Sequence, residues 1–91
     1  MKVIWTDSAA TDLTQIVDYI SLDDAEAARR LAKVMYDRIM GLGKMPYQGR
    51  KRSDGSRKIV FVPWPYAVVY AVVEDTVLIE AIRHTARNWS D

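Results

Sequence analysis

The run Tyr66-Ala67-Val68-Val69-Tyr70-Ala71-Val72-Val73 is the feature that most limits what this chain can become. Pro63-Trp64-Pro65 stands before it and Glu74-Asp75 after it, so punctuation bounds eight uncharged, mostly β-branched or aromatic residues. Such a run reads as a strand. It shows no apolar/polar alternation, so both faces are buried and the strand is central, with a neighbour on each side. The neighbours are at hand. Arg57–Val62 is a second strand candidate, broken by the two prolines that follow. Thr76–His84 is a third, after the Glu74-Asp75 turn. Connections this short make the three an antiparallel meander whose register the turns set. The longest uncharged stretch, Ile59–Val73, is 15 residues and contains two prolines. A spanning helix needs about 20 residues, so no membrane partner is expected.

A sheet of this kind needs a covering layer, and the first half of the chain supplies it. Lys2–Thr6 is a short strand candidate. Thr6, Asp7 and Ser8 then offer helix-capping oxygens. Ala9, Leu13, Ile16, Val17 and Ile20 recur at the spacing of one helical face. Ser21 closes that helix and is the expected cap of the next, with Asp24 three residues on in a capping-box arrangement. Ala28, Leu31, Met35, Ile39 and Leu42 form the second stripe, and Gly41, Gly43 and Pro46 end it. The expected architecture is α+β, β-α-α-β-β-β: a helical hairpin packed on one face of a small antiparallel sheet. One domain covers residues 1–91, because 91 residues leave no room for two. A 49% hydrophobic, 27% charged composition suits a soluble globular chain. The start Val3-Ile4-Trp5 is too short for a signal peptide, so a cytoplasmic location is expected.

Several chemistries are excluded. There is no cysteine and only one histidine, His84, so no thiolate nucleophile and no cysteine- or histidine-built metal site is expected, and no cofactor is implied. The four glycines do not form a phosphate-binding loop, and no Gly-x-Ser-x-Gly elbow occurs. Net charge is +1, but it is unevenly spread: residues 1–49 hold six Lys/Arg and seven Asp/Glu, residues 50–91 seven and five. Arg50, Lys51, Arg52, Arg57 and Lys58 crowd nine residues against Asp54 alone, a density that attracts phosphates or an acidic peptide. The same run also reads as a solvated loop.

Alternation sorts the last strand into Val77, Ile79, Ala81 and Arg83 on one face and Leu78, Glu80, Ile82 and His84 on the other. Arg83 and His84 therefore leave in opposite directions. The order of the strands is open, so Arg57 and His84 lie far apart if the central strand separates them. His84 has the side chain suited to acid–base work near neutrality, and a structural role is its plainer reading. Arg57 can clamp a phosphate or cover apolar surface with its stem. Trp89 reads as an anchor for the tail, Glu80 as a solvated residue or an arginine partner. Together these residues describe a basic groove and no reaction.

The pattern resembles the RelE/ParE superfamily of toxins from type II toxin–antitoxin pairs. Asp12-Leu13 with Ile16 and Tyr19-Ile20, Ala27-Ala28, Pro46-x-x-Gly49-Arg50, Arg57, the Tyr66-x-Val68-x-Tyr70 strand, Val77-x-Ile79 and Arg83-His84-x-x-Arg87-x-Trp89 occur in the family's order. They cover nearly the whole chain, and their strength lies in the ordered set. The resemblance implies the same fold, growth arrest and neutralisation by a cognate antitoxin that wraps the toxin. RelE-like members cleave messenger RNA on the ribosome, by attack of a 2′-hydroxyl on the adjacent phosphate. Here Arg57, Arg83 and His84 would be the catalytic set, with Glu80 as another possible base. ParE-like members lack that set and poison DNA gyrase. The Pro-x-x-Gly-Arg loop, the His-x-x-Arg-x-Trp ending, the modest charge and the absence of any tyrosine after Tyr70 look more like the ParE branch. On that reading Arg50, Arg57, Arg87 and Trp89 contact the target or the antitoxin.

Overall fold

The computed structural model describes residues 1–86. The elements are β1 (Lys2–Trp5), α1 (Asp7–Ser21), α2 (Ala25–Met40), a 3₁₀ turn (Gly41–Gly43), β2 (Arg50–Lys51), β3 (Arg57–Val60), β4 (Tyr66–Val73) and β5 (Thr76–His84). The five strands form one sheet in the order β1-β5-β4-β3-β2. The apolar run is thus its middle strand, with Tyr66 to Tyr70 buried. β3, β4 and β5 make the expected antiparallel meander.

The α+β class and the helical hairpin stand, and the sheet differs from expectation in two ways. It is mixed rather than antiparallel, because β1 runs parallel to β5, with Lys2 opposite Thr76 and Trp5 opposite Ile79. The α1–α2 hairpin returns the chain to the sheet, and the closing strand β5 takes β1 as its second neighbour. The loop also contributes an unexpected strand, β2, whose two residues lie antiparallel to β3. Two consecutive cations carry no strand periodicity to read.

The faces of β5 also need correction. Val69 stands opposite Ala81 but Tyr70 opposite Ile79, which leaves Glu80 as an extra residue on β5. Such a bulge reverses the alternation beyond it. Val77 and Ile79 therefore share the helix-side face with Ile82 and His84, while Ala81 and Arg83 lie on the other. The bulge lets both Ile79 and Ile82 enter the core, which strict alternation would forbid.

Thr6 caps α1, its hydroxyl accepting from the Ala9 amide at 3.0 Å and donating to the Ile79 carbonyl at 2.9 Å. One residue therefore starts the helix and ties it to the sheet. The cap of α2 is Asp24, not Ser21: Asp24 accepts from the Ala27 amide, whereas the Ser21 hydroxyl donates back to Val17 within α1. The Leu22-Asp23 turn separates the two helices and moves the start forward. On α2 the stripe Ala28, Leu31, Met35 and Ile39 is buried, and Leu31, Met35 and Ile39, with Leu42 beyond them, share one core with Val68, Tyr70, Val77 and Ile79. Burying each of the larger side chains is worth about 1.5–3 kcal/mol. On α1 only Ala9 is fully buried, and Leu13, Ile16 and Ile20 are half-buried. Among the described residues no helix is long and apolar enough to cross a membrane.

Candidate functional site

Polar chemistry gathers at the two ends of β4. At the Tyr70 end it is organised around a phenol. The Tyr70 hydroxyl accepts from the Gly49 amide at 2.9 Å and donates to the Pro46 carbonyl at 2.8 Å. Arg57 completes the arrangement: its Nη1 donates to the Tyr47 carbonyl at 3.2 Å and the Gly49 carbonyl at 2.9 Å. Its guanidinium also lies over the Tyr47 ring, 5.1 Å from the centroid. The spacing Pro46-x-x-Gly49 has a steric cause. A Cβ on residue 49 would stand 2.6 Å from the Tyr70 hydroxyl, so only glycine fits. Burial pushes the Tyr70 phenol above its ordinary value, while the Gly49 amide and the Arg57 charge oppose that rise. Beyond the loop, Arg50 stands opposite Lys58 and Lys51 opposite Arg57. Asp54, itself exposed, accepts from the Ser56 hydroxyl and amide, which hold its carboxyl below the usual carboxylate range.

At the Tyr66 end a cleft of about 610 Å³ opens between α1 and the sheet. Ser8, Asp12, Gln15 and Tyr19 line it from the helix, Tyr66 and His84 from the sheet, and Arg83 also borders it. β1 stops opposite Ile79, so among the described residues no strand lies beside the edge of β5 beyond that point. Asp12 occupies part of this edge by accepting from the Ile82 amide at 3.0 Å. His84 packs edge-on to Tyr66, with ring centroids 5.4 Å apart, and its Nδ1 accepts from the Ala86 amide at 3.0 Å. That bond occupies Nδ1 and leaves Nε2 as the ring nitrogen available to another partner. Burial, and secondarily the nearby Tyr19, raise the Tyr66 phenol.

The sequence candidates are thus dispersed. Arg57 faces Tyr70 across the sheet and His84 faces Tyr66 on the other side of β4. Four residues of strand put these positions roughly 13 Å apart along the sheet. Arg83 is exposed and leaves β5 from the other face, yet it borders the same cleft as His84. Glu80 is the exposed bulge residue. Arg50 is exposed on β2. Arg87 and Trp89 lie outside the described residues. Sequence reasoning did not assign site roles to Asp12, Tyr47, Gly49 or Tyr70. Asp12 had a signal, since it sits three residues after Ala9 and four before Ile16, an acid on the face that packs inward. Among the described residues no three His, Cys, Asp or Glu side chains stand together to hold a metal.

Comparison with known proteins places this geometry. Residues 3–89 match the family model described as ParE toxin of type II toxin–antitoxin system, parDE. Toxin RelE2 of Caulobacter vibrioides is 40% identical over 86 residues, which are 94% of this chain and 97% of that protein. A chain of the chromosomal ParDE TA system from P. aeruginosa superposes with a TM-score of 0.80 at 27% identity, covering 92% of this chain and 95% of that one. The fold, the Pro46–Arg50 loop built around Tyr70 and a family match spanning almost every residue lead to one conclusion: the chain belongs to the ParE toxin family of type II toxin–antitoxin systems.

Proposed function

We propose that this toxin arrests growth by binding DNA gyrase without performing chemistry, acting in the cytoplasm as one domain over residues 1–91 and neutralised by a cognate antitoxin. The observation that carries this reading is the dispersal of the nuclease candidates. A ribonuclease of the RelE kind needs cations and an acid–base group around one phosphate. Here the Arg57 guanidinium is engaged by two loop carbonyls at the Tyr70 end, whereas Arg83 and His84 border the cleft at the Tyr66 end, roughly 13 Å away along the sheet, and His84 accepts an amide at Nδ1. Arg50, Arg87 and Trp89 remain the proposed contacts to gyrase or antitoxin, and Arg57 belongs to the same surface through the loop it holds.

A second reading, ribosome-dependent cleavage of messenger RNA, draws on the 40% identity to a protein named RelE2. It would use His84 and Arg83 in the cleft beside Tyr66. Two assays on the purified chain separate the readings. The binding reading expects loss of supercoiling by gyrase and intact messenger RNA on translating ribosomes. Cleaved messenger RNA with unimpaired supercoiling would overturn it.

A further inference from the structure

The loop at the Tyr70 end is held more tightly than its length requires. Between Pro46 and Gly49 four hydrogen bonds converge from two side chains, Tyr70 and Arg57, both anchored on strands of the sheet. The residues this loop displays stay outside. Met45 is 63% exposed and Tyr47 59%, although Arg57 lies over the Tyr47 ring. Arg50 and Lys51 follow, both exposed, and both face another cation across β2–β3. Like charges directly opposite one another weaken a ladder. Their stability cost is offset when an anionic surface approaches. Methionine, tyrosine and arginine on a rigid support are also the residue types enriched at protein contacts.

We infer that the Met45–Lys51 segment is a preformed docking loop for an acidic surface of the protein this toxin arrests. In this arrangement Tyr47 and Arg50 touch the target, and Arg57 and Tyr70 are positioning residues that hold the loop in shape. A folded target favours this assignment over the antitoxin. A loop already in its bound form adds no ordering cost when it meets a folded surface, whereas a segment that folds on binding adapts to whatever it meets. The inference rests on the reading of this chain as a growth-arresting toxin that works by binding. It assigns Arg57 a different task from a charge contact.

Lysine tells the two tasks apart. It keeps the positive charge but cannot fork between two carbonyls. The experiment therefore measures, in cells, the amount of induced protein that gives half-maximal growth arrest, for the wild type and for Arg57→Lys, Arg57→Ala, Tyr70→Phe, Tyr47→Ala and Arg50→Ala. Amide hydrogen exchange on the purified chains reads the loop through Gly49 and the fold through β4. Tyr70→Phe keeps the ring in the core and removes only the hydroxyl, so it serves where Arg57→Ala fails to fold.

The expected result is that Arg57→Lys and Tyr70→Phe each raise the required amount on the order of tenfold. The Gly49 amide should then exchange faster while β4 stays protected. Tyr47→Ala and Arg50→Ala should weaken arrest with loop exchange unchanged. Arg57→Lys arresting like the wild type while Arg57→Ala does not, with the loop still protected, would make Arg57 a charge contact and overturn the inference. So would a loosened loop with undiminished arrest. A wild-type chain that arrests nothing would instead remove the toxin reading on which the inference stands, before any variant is compared.

Discussion

Tyr66 and Tyr70 lie on the same face of the same strand, four residues apart, and are used in opposite ways. The Tyr70 hydroxyl makes two hydrogen bonds and organises a loop. The Tyr66 hydroxyl has no hydrogen-bond partner among the described residues, and its ring walls an open cleft. At one end side chains are committed to one another and present a finished surface. At the other, His84 and Asp12 are each tied to a backbone amide beside the cleft. Among the described residues, Arg57 stands at the Tyr70 end and Arg83 and His84 at the Tyr66 end, roughly 13 Å apart along the sheet.

The sharpest way to break this comparison is to remove the two hydroxyls separately. Tyr70→Phe leaves the buried Gly49 amide and the Pro46 carbonyl without their partner, which should cost about 1–3 kcal/mol in chemical denaturation. Tyr66→Phe should change stability by less than about 0.5 kcal/mol. Equal costs would show that the hydroxyl bonds at the loop contribute nothing. Gly49→Ala tests the same end from the other side. A methyl 2.6 Å from the Tyr70 hydroxyl must displace a buried ring or the loop, with an expected loss of about 1–3 kcal/mol.

A smaller effect should appear at alkaline pH. Both phenols titrate above their ordinary 10.0 in the folded chain, chiefly through burial. A raised folded value means the folded state holds the proton more tightly. The associated stability is complete below pH 10 and is lost as pH rises through the folded values. Stability should therefore decline above pH 10, and Tyr70→Phe should flatten the part of that decline owed to Tyr70. At the cleft, Asp12→Ala should cost about 1 kcal/mol, the value of one amide–carboxylate bond at a part-buried strand edge. The smallest expected effect is functional: His84→Ala should leave growth arrest unchanged. Acid–base catalysis by this ring would make the same substitution cost roughly 100- to 10,000-fold.

Much of this frame is legible in the sequence because it rests on local pattern. The unbroken apolar run gives the central strand, the stripe through Leu31, Met35 and Ile39 gives α2, and Thr6 caps α1 where its side chain predicts. What escapes reading depends on distant partners. The parallel pairing of β1 joins residues 74 positions apart, Lys2 with Thr76, and nothing local distinguishes a parallel neighbour from an antiparallel one. The Glu80 bulge hides for a related reason, since alternation counts residues and a bulge adds one. Ile79 and Ile82, both large and branched, were its trace. For the site, the sequence supplied Arg57 and Gly49 as landmarks but not their connection. That Arg57 is occupied by carbonyls eight and ten residues earlier, and that Gly49 is glycine because of Tyr70, are facts of packing alone.

The central claim, arrest by contact rather than by cleavage, is tested most directly by pulse-labelling DNA and protein synthesis in the same cells after induction. The account predicts that DNA synthesis fails first while translation continues and the cells elongate. Translation stopping within minutes, with replication lagging behind, would contradict it.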